Sequence, residues 1–113
     1  MAVQLDFFSP IAPLGRAARD ESLDERFARF HALNPHVYRA FVAVTRAYLR
    51  TTGRTHVGAK MVWEKLRWEY AVRTTDSDPA LDNSYVSRYA RMAALNEADL
   101  RGAFAFRKLR SAA

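Results

Sequence analysis

The stretch between Asn34-Pro35 and Gly53 constrains the fold more than any other. Asparagine is a favoured helix N-cap, proline suits the first helical position, and glycine ends helices in the left-handed conformation. Between these signals, Val37, Phe41, Val44 and Tyr48 step by 4, 3 and 4, the spacing of a single helical stripe. Arg39, Arg46 and Arg50 step by 7 and 4 and fall on the other side. The pattern predicts a helix with one face for the core and one face presenting three guanidinium groups.

Three shorter helices are expected around it. Ser22-Leu23-Asp24-Glu25 is a capping box, in which the serine hydroxyl accepts from the Glu25 amide while Glu25 reaches back. The helix it opens carries Leu23, Phe27 and Phe30 on one side and ends near Asn34. A third helix, from about Val57 to Trp68, is apolar around most of its circumference and is expected to bury Trp63 and Trp68. Lys60, Glu64 and Arg67 share its remaining face. The sequence EYAVRTT that follows has strand-like content, and DSDPALDN is a loop by composition. Asp82, Asn83 or Ser84 then caps a fourth helix, roughly 84–95, with Val86, Tyr89, Ala90 and Ala93 inward and Ser84, Ser87, Arg88 and Arg91 outward. Near the end, Phe104 and Phe106 alternate with smaller or basic residues, which suits a short strand or wing.

The expected fold is mainly α: a four-helix small domain with one or two short strands, compatible with a winged-helix-like module, plus an extended N-terminal arm. Residues 1–21 hold two prolines, a glycine and no helical period, and form the arm; residues 22–113 form a basic helical domain. The gap of about fifteen residues between helices three and four exceeds the 3–4-residue turn of a simple helix-turn-helix. The 113 residues make one domain, long enough to bury a core without staples.

Several kinds of chemistry are missing. The chain has no cysteine, hence no disulfide framework or thiolate metal site. No apolar run approaches a membrane span and no secretory signal is visible, so a cytoplasmic location, in a bacterial host cell, is expected. His31 and His36 lack the spacing of a helical metal pair and have a proline between them, and His56 is alone. Asp76 and Asp78 flank a turn rather than a metal. No Gly-rich phosphate loop or nucleophile motif occurs. The expectation is no enzyme, no cofactor and no small-molecule substrate.

Net charge is +6 and unevenly spread. Residues 1–34 carry −1, residues 35–75 carry +6 and residues 76–113 carry +1. A basic block favours a polyanion, most often nucleic acid. The candidate DNA contacts are Arg39, Arg46, Arg50, Arg54, Lys60, Arg67, Ser84, Ser87, Arg88 and Arg91, since arginine forks suit phosphates and guanine edges. Ser84, Ser87, Arg88 and Arg91, at the start of a capped helix, are what a groove-reading helix presents to double-stranded DNA. The plain alternative is a solvated, arginine-rich surface, because arginine outnumbers lysine 15 to 3.

One stretch stands apart. Gln4, Leu5, Asp6, Phe7 and Phe8 put three large apolar side chains at a terminus, before any helical pattern begins. The sequence QLDFF resembles the bacterial β sliding-clamp-binding motif, Gln-Leu-(Ser/Asp)-Leu-Phe, at four of five positions, with Phe7 in place of a leucine. The resemblance implies that Gln4 enters a small polar pocket, that Leu5, Phe7 and Phe8 fill an apolar cleft, and that Asp6 stays near solvent. Burying three such side chains yields roughly 5–8 kcal/mol, and ordering a tail takes back several of those, so micromolar affinity is expected. The competing expectation is that Leu5, Phe7 and Phe8 pack onto their own domain.

The segments FHALNPHVY, KLRWEY, SRYARM and FAFRKLRS also look like parts of small proteins from bacteriophages and prophages, a group that lends no activity. Together these resemblances imply a phage-type protein that engages the host clamp and modulates or inhibits DNA replication, with DNA contact by its basic body. The alternative is a winged-helix-like transcriptional regulator whose arm merely packs.

Overall fold

The computed structural model describes residues 5–17, 19–74 and 80–106, with side chains from Phe7 onward. Gln4, the Asp76–Asp78 loop and everything from Arg107 lie outside the described residues. Four α-helices follow in order: α1 (Leu23–Leu33), α2 (Pro35–Thr52), α3 (Ala59–Arg73) and α4 (Val86–Asn96). Short 3-10 turns cover Leu5–Phe8, Asn83–Tyr85 and Ala98–Leu100.

The local signals act as the sequence suggests. Ser22 Oγ accepts from the Glu25 amide at 3.1 Å and Glu25 accepts from the Ser22 amide at 3.1 Å, closing the capping box of α1. Gly53 takes φ 72° and its N–H donates to Leu49 C=O, so α2 stops where a residue without Cβ tolerates the left-handed turn. Asp82 accepts from the Ser84 amide and caps the 3-10 turn that leads into α4.

α2 is the central element and packs against α1, α3, α4 and the first 3-10 turn. Its Val37, Ala40 and Phe41 are fully buried in one core with Trp63, Leu66 and Tyr70 of α3 and Tyr89, Ala90 and Ala93 of α4. The Phe41 ring stacks on Phe104 at 5.7 Å between centroids, and Trp63 lies 5.4 Å from Tyr89. This aromatic cluster is the heart of the core, since each ring removes a large apolar area from water.

Four expectations need correction. EYAVRTT is helix up to Arg73, not strand: Glu69 is bridged by both Lys65 and Arg73 at i±4, and Thr74 Oγ1 closes the end on Tyr70 C=O. Neither does Phe104–Phe106 form a strand. Arg101–Ala103 is a turn, tied to the chain before α3 by Val57 N–H donating to Ala103 C=O at 2.9 Å. Among the described residues no strand occurs, so the winged-helix comparison has no wing there. Trp68 is 57% exposed while Trp63 is fully buried. At about 100° per residue, five positions set the two about 140° apart around the helix, so both cannot face the core. Met61 and Val72 are exposed with Trp68, so α3 is less buried than its composition suggests.

The N-terminal segment is not a free arm. Asn34, read as the N-cap of α2, makes no side-chain cap bond. It is fully buried and clasps Ala12 instead, accepting from its N–H at 2.8 Å and donating to its C=O at 2.9 Å. Phe8 (3% exposed) and Ile11 belong to the core. Phe8 meets Tyr70 edge-on at 5.0 Å, the Arg73 guanidinium lies over the Phe8 ring at 5.1 Å, and the Tyr70 hydroxyl donates to Phe7 C=O at 2.8 Å.

Candidate nucleic-acid interface

The arginines marked in the sequence meet different fates. Arg46 donates to both oxygens of Asp99 at 2.9 Å and to Glu97 at 2.8 Å, and Glu97 also accepts from the Tyr38 hydroxyl at 2.8 Å. The Arg46 bonds hold the Asp99 carboxyl below its usual range, and burial followed by the Glu97 contact pushes Tyr38 up to about 12. Arg67 pairs with Glu64 and braces the entry to α4 through Leu81 C=O at 2.7 Å and Asn83 Oδ1 at 2.6 Å. Arg88 bridges to Asp24 of α1 at 2.7 Å and to Ser84 C=O at 3.3 Å. These three guanidinium groups, expected as DNA contacts, are already engaged in ties between segments of the chain. Arg39, Arg50 and Arg54 are exposed on or just after α2.

Lys60, Ser84, Ser87 and Arg91 do come together. They line one groove of about 540 Å³ between the start of α3 and the first turns of α4, closed on one side by Ala105 and Phe106. Lys60 occupies the second position of α3, and Ser84 precedes α4 by two residues. Ser87 and Arg91 are four apart on α4 and share a face. Among the described residues, no acid lines this groove, and neither Lys60 nor Arg91 has an ion-pair partner; Arg91 instead lies 5.1 Å over the Phe106 ring. The first turn of α3 holds no acid and Gly58 supplies no side-chain cap, so the positive end of the helix dipole carries no acidic side chain of its own first turn.

In two other grooves the cations are ion-paired. The α2–α3 groove contains Lys65 and Arg73, both paired with Glu69. The third contains Arg26 and Arg29, paired with Asp82 and Glu21 at 2.7 Å each. Among the described residues, the cations of the α3–α4 groove have no carboxylate partner, unlike those of the other two.

Phe106 and Asn83 were missed as site residues by sequence reasoning, which took the first as strand and the second as a cap. Phe106 is 42% exposed, and its ring sits 6.4 Å from Phe104, which is itself buried on Phe41. The available signal was aromatic residues beside a basic run, FAFRKLR.

The clamp-like stretch is divided. Gln4 and the side chains of Leu5 and Asp6 lie outside the described residues; the backbone from Leu5 forms a 3-10 turn, Phe7 is half-buried and Phe8 is buried. An extended docked peptide needs that turn unwound and Phe8 withdrawn from Tyr70.

The histidines gather no metal site: among the described residues no group of three His, Cys, Asp or Glu could ligate one. Burial lowers the pKa of His31 and of His36. Among the described residues no helix is long and apolar enough to cross a membrane. Compared with known proteins, the chain matches no protein-family model, no curated protein and no solved structure.

Proposed function

We propose that this chain is a nucleic-acid-binding domain that grips backbone phosphates in the α3–α4 groove. Lys60 and Arg91 supply the charge, Ser87 and the first N–H groups of α3 supply neutral donors, and no acid among the described residues lines the groove to offset that charge. The observation that carries the reading is the contrast among the three grooves: the cations of two are ion-paired, and among the described residues those of the third are not. Arg46, Arg67 and Arg88 leave the contact set because carboxylates and carbonyls already hold them. On a phage-type protein, such a grip would act on host or phage DNA without chemistry.

Fluorescence anisotropy with a labelled oligonucleotide tests it. Lys60→Ala with Arg91→Ala is expected to weaken binding by at least about tenfold, as the loss of charge-assisted bonds requires. Arg46→Ala is expected to leave binding unchanged. Equal binding by wild type and the double variant removes the groove from the account.

Clamp docking by residues 4–8 is the second reading, carried by the QLDFF match. It requires release of Phe8 from the core, at about 2–3 kcal/mol of burial free energy, or roughly 30- to 150-fold in affinity. A peptide spanning residues 1–10 therefore binds a bacterial β clamp more tightly than the full chain does, by that factor. Failure of the peptide to bind ends this reading.

A further inference from the structure

We infer that the groove takes single-stranded nucleic acid in preference to duplex, with a base stacked on Phe106; this deepens, and rests on, the phosphate-gripping reading above. Three observations converge. First, the unmatched cations line a concavity rather than a ridge. A helix that reads a duplex projects its side chains outward into the major groove. Here Ser87 and Arg91 form one wall of a cleft whose facing wall begins at Lys60, and Arg88, the neighbouring arginine on α4, is tied back to Asp24. A cleft of about 540 Å³ is in the size range of small-ligand sites, large enough for a single nucleotide.

Second, the cleft ends in an aromatic ring that folding leaves open. Phe106 is 42% exposed, while the ring beside it, Phe104, is buried against Phe41. A large apolar ring in a cationic cleft is a feature of strand-binding grooves, where every base offers a face for stacking regardless of sequence. Third, the ring is held in place. The Arg91 guanidinium lies over one part of the ring at 5.1 Å and Phe104 abuts it at 6.4 Å, with the two rings inclined at 48°, while the ring as a whole stays 42% exposed. Arg91 thus serves twice, as cation for a phosphate and as support for the stacking surface. A nucleotide fits the arrangement with its phosphate toward Lys60, Ser87 and the α3 amides and its base against Phe106 and the planar Arg91 guanidinium.

The test uses the full chain and three labelled probes of equal length: a 12-mer of thymidine, a 12-bp duplex, and a 12-mer of abasic deoxyribose phosphate. The thymidine strand is expected to bind at least about fivefold more tightly than either of the others, because stacking adds to the phosphate contacts. Phe106→Ala is expected to bring the thymidine strand down to the abasic strand, with abasic binding unchanged, and Phe106→Trp to restore the difference. Lys60→Ala is expected to weaken all three probes and to lower the salt slope on the single strands by about 0.7. Duplex binding equal to or tighter than thymidine overturns the inference while leaving the groove reading intact. Equal weakening of thymidine and abasic strands by Phe106→Ala overturns it in the same way. Absence of binding to all three probes overturns both.

Discussion

The N-terminal turn and the α3–α4 groove begin alike and end in opposite states. In the sequence, each looks like a surface waiting for a partner: one offers exposed phenylalanines, the other unpaired cations. In the folded chain, Phe8 has found its partner in Tyr70 and Arg73, and the Phe7 carbonyl has found the Tyr70 hydroxyl. Lys60 and Arg91 have found no carboxylate among the described residues, and Phe106 remains open to solvent. A binding surface is what a fold leaves unsatisfied, and by that measure the groove is the better candidate.

The sharpest way to break this contrast is Phe8→Ala. A buried ring deleted from the core is expected to reduce stability by about 3 kcal/mol, read as a shifted urea midpoint, with oligonucleotide binding unchanged below the transition. An unshifted midpoint would mean that the N-terminal turn is not part of the globule. Next in size, Lys60→Ala with Arg91→Ala is expected to show the reverse pattern: a loss of at least about tenfold in oligonucleotide affinity with stability within about 0.5 kcal/mol of wild type. A large fall in stability there would make the two cations structural after all. Arg46→Met sharpens the comparison from a third position. It removes the ties to Glu97 and Asp99 and is expected to reduce stability by up to about 1 kcal/mol, because these pairs are partly exposed, and to leave binding untouched.

The smallest effect concerns pH. Burial lowers the pKa of His31 and His36 from the ordinary 6.5, so the unfolded chain takes up protons before the folded one does. Stability is therefore full above about 6.5 and falls as pH drops below it. His36 sits by Arg39 and Tyr70, and its ring meets the Ser9 and Pro10 backbone, so the loss should appear first where the N-terminal segment docks. Thermal melts at about pH 7.5 and 5.5 are expected to differ less in His31→Gln/His36→Gln than in wild type.

Particular residues show where reading the sequence stops. Ser22, Glu25, Gly53 and Asp82 were legible because caps act on backbone within a few positions. Val37, Phe41, Tyr89 and Ala93 were legible because helical period alone sorts them inward. Asn34 does stand at the N-cap of α2, but its side chain bonds Ala12, 22 residues away, and a local capping rule cannot anticipate that long-range clasp. Trp68 was misread because composition averages a helix's faces and only packing says which turns outward. Of the ten proposed DNA contacts, the groove gathers Lys60, Ser84, Ser87 and Arg91; Arg46 instead pairs with Asp99, 53 residues on, a contact no local pattern announces.

The order of residues was enough to set four helices, most of their ends and the apolar stripes that meet in the core, since those depend on neighbours three or four positions apart. Assembly chose which charges are cancelled and which aromatic rings are covered. Electrostatic pairing and burial act between segments distant along the chain, and their outcome exists only once α1, α2, α3 and α4 have packed.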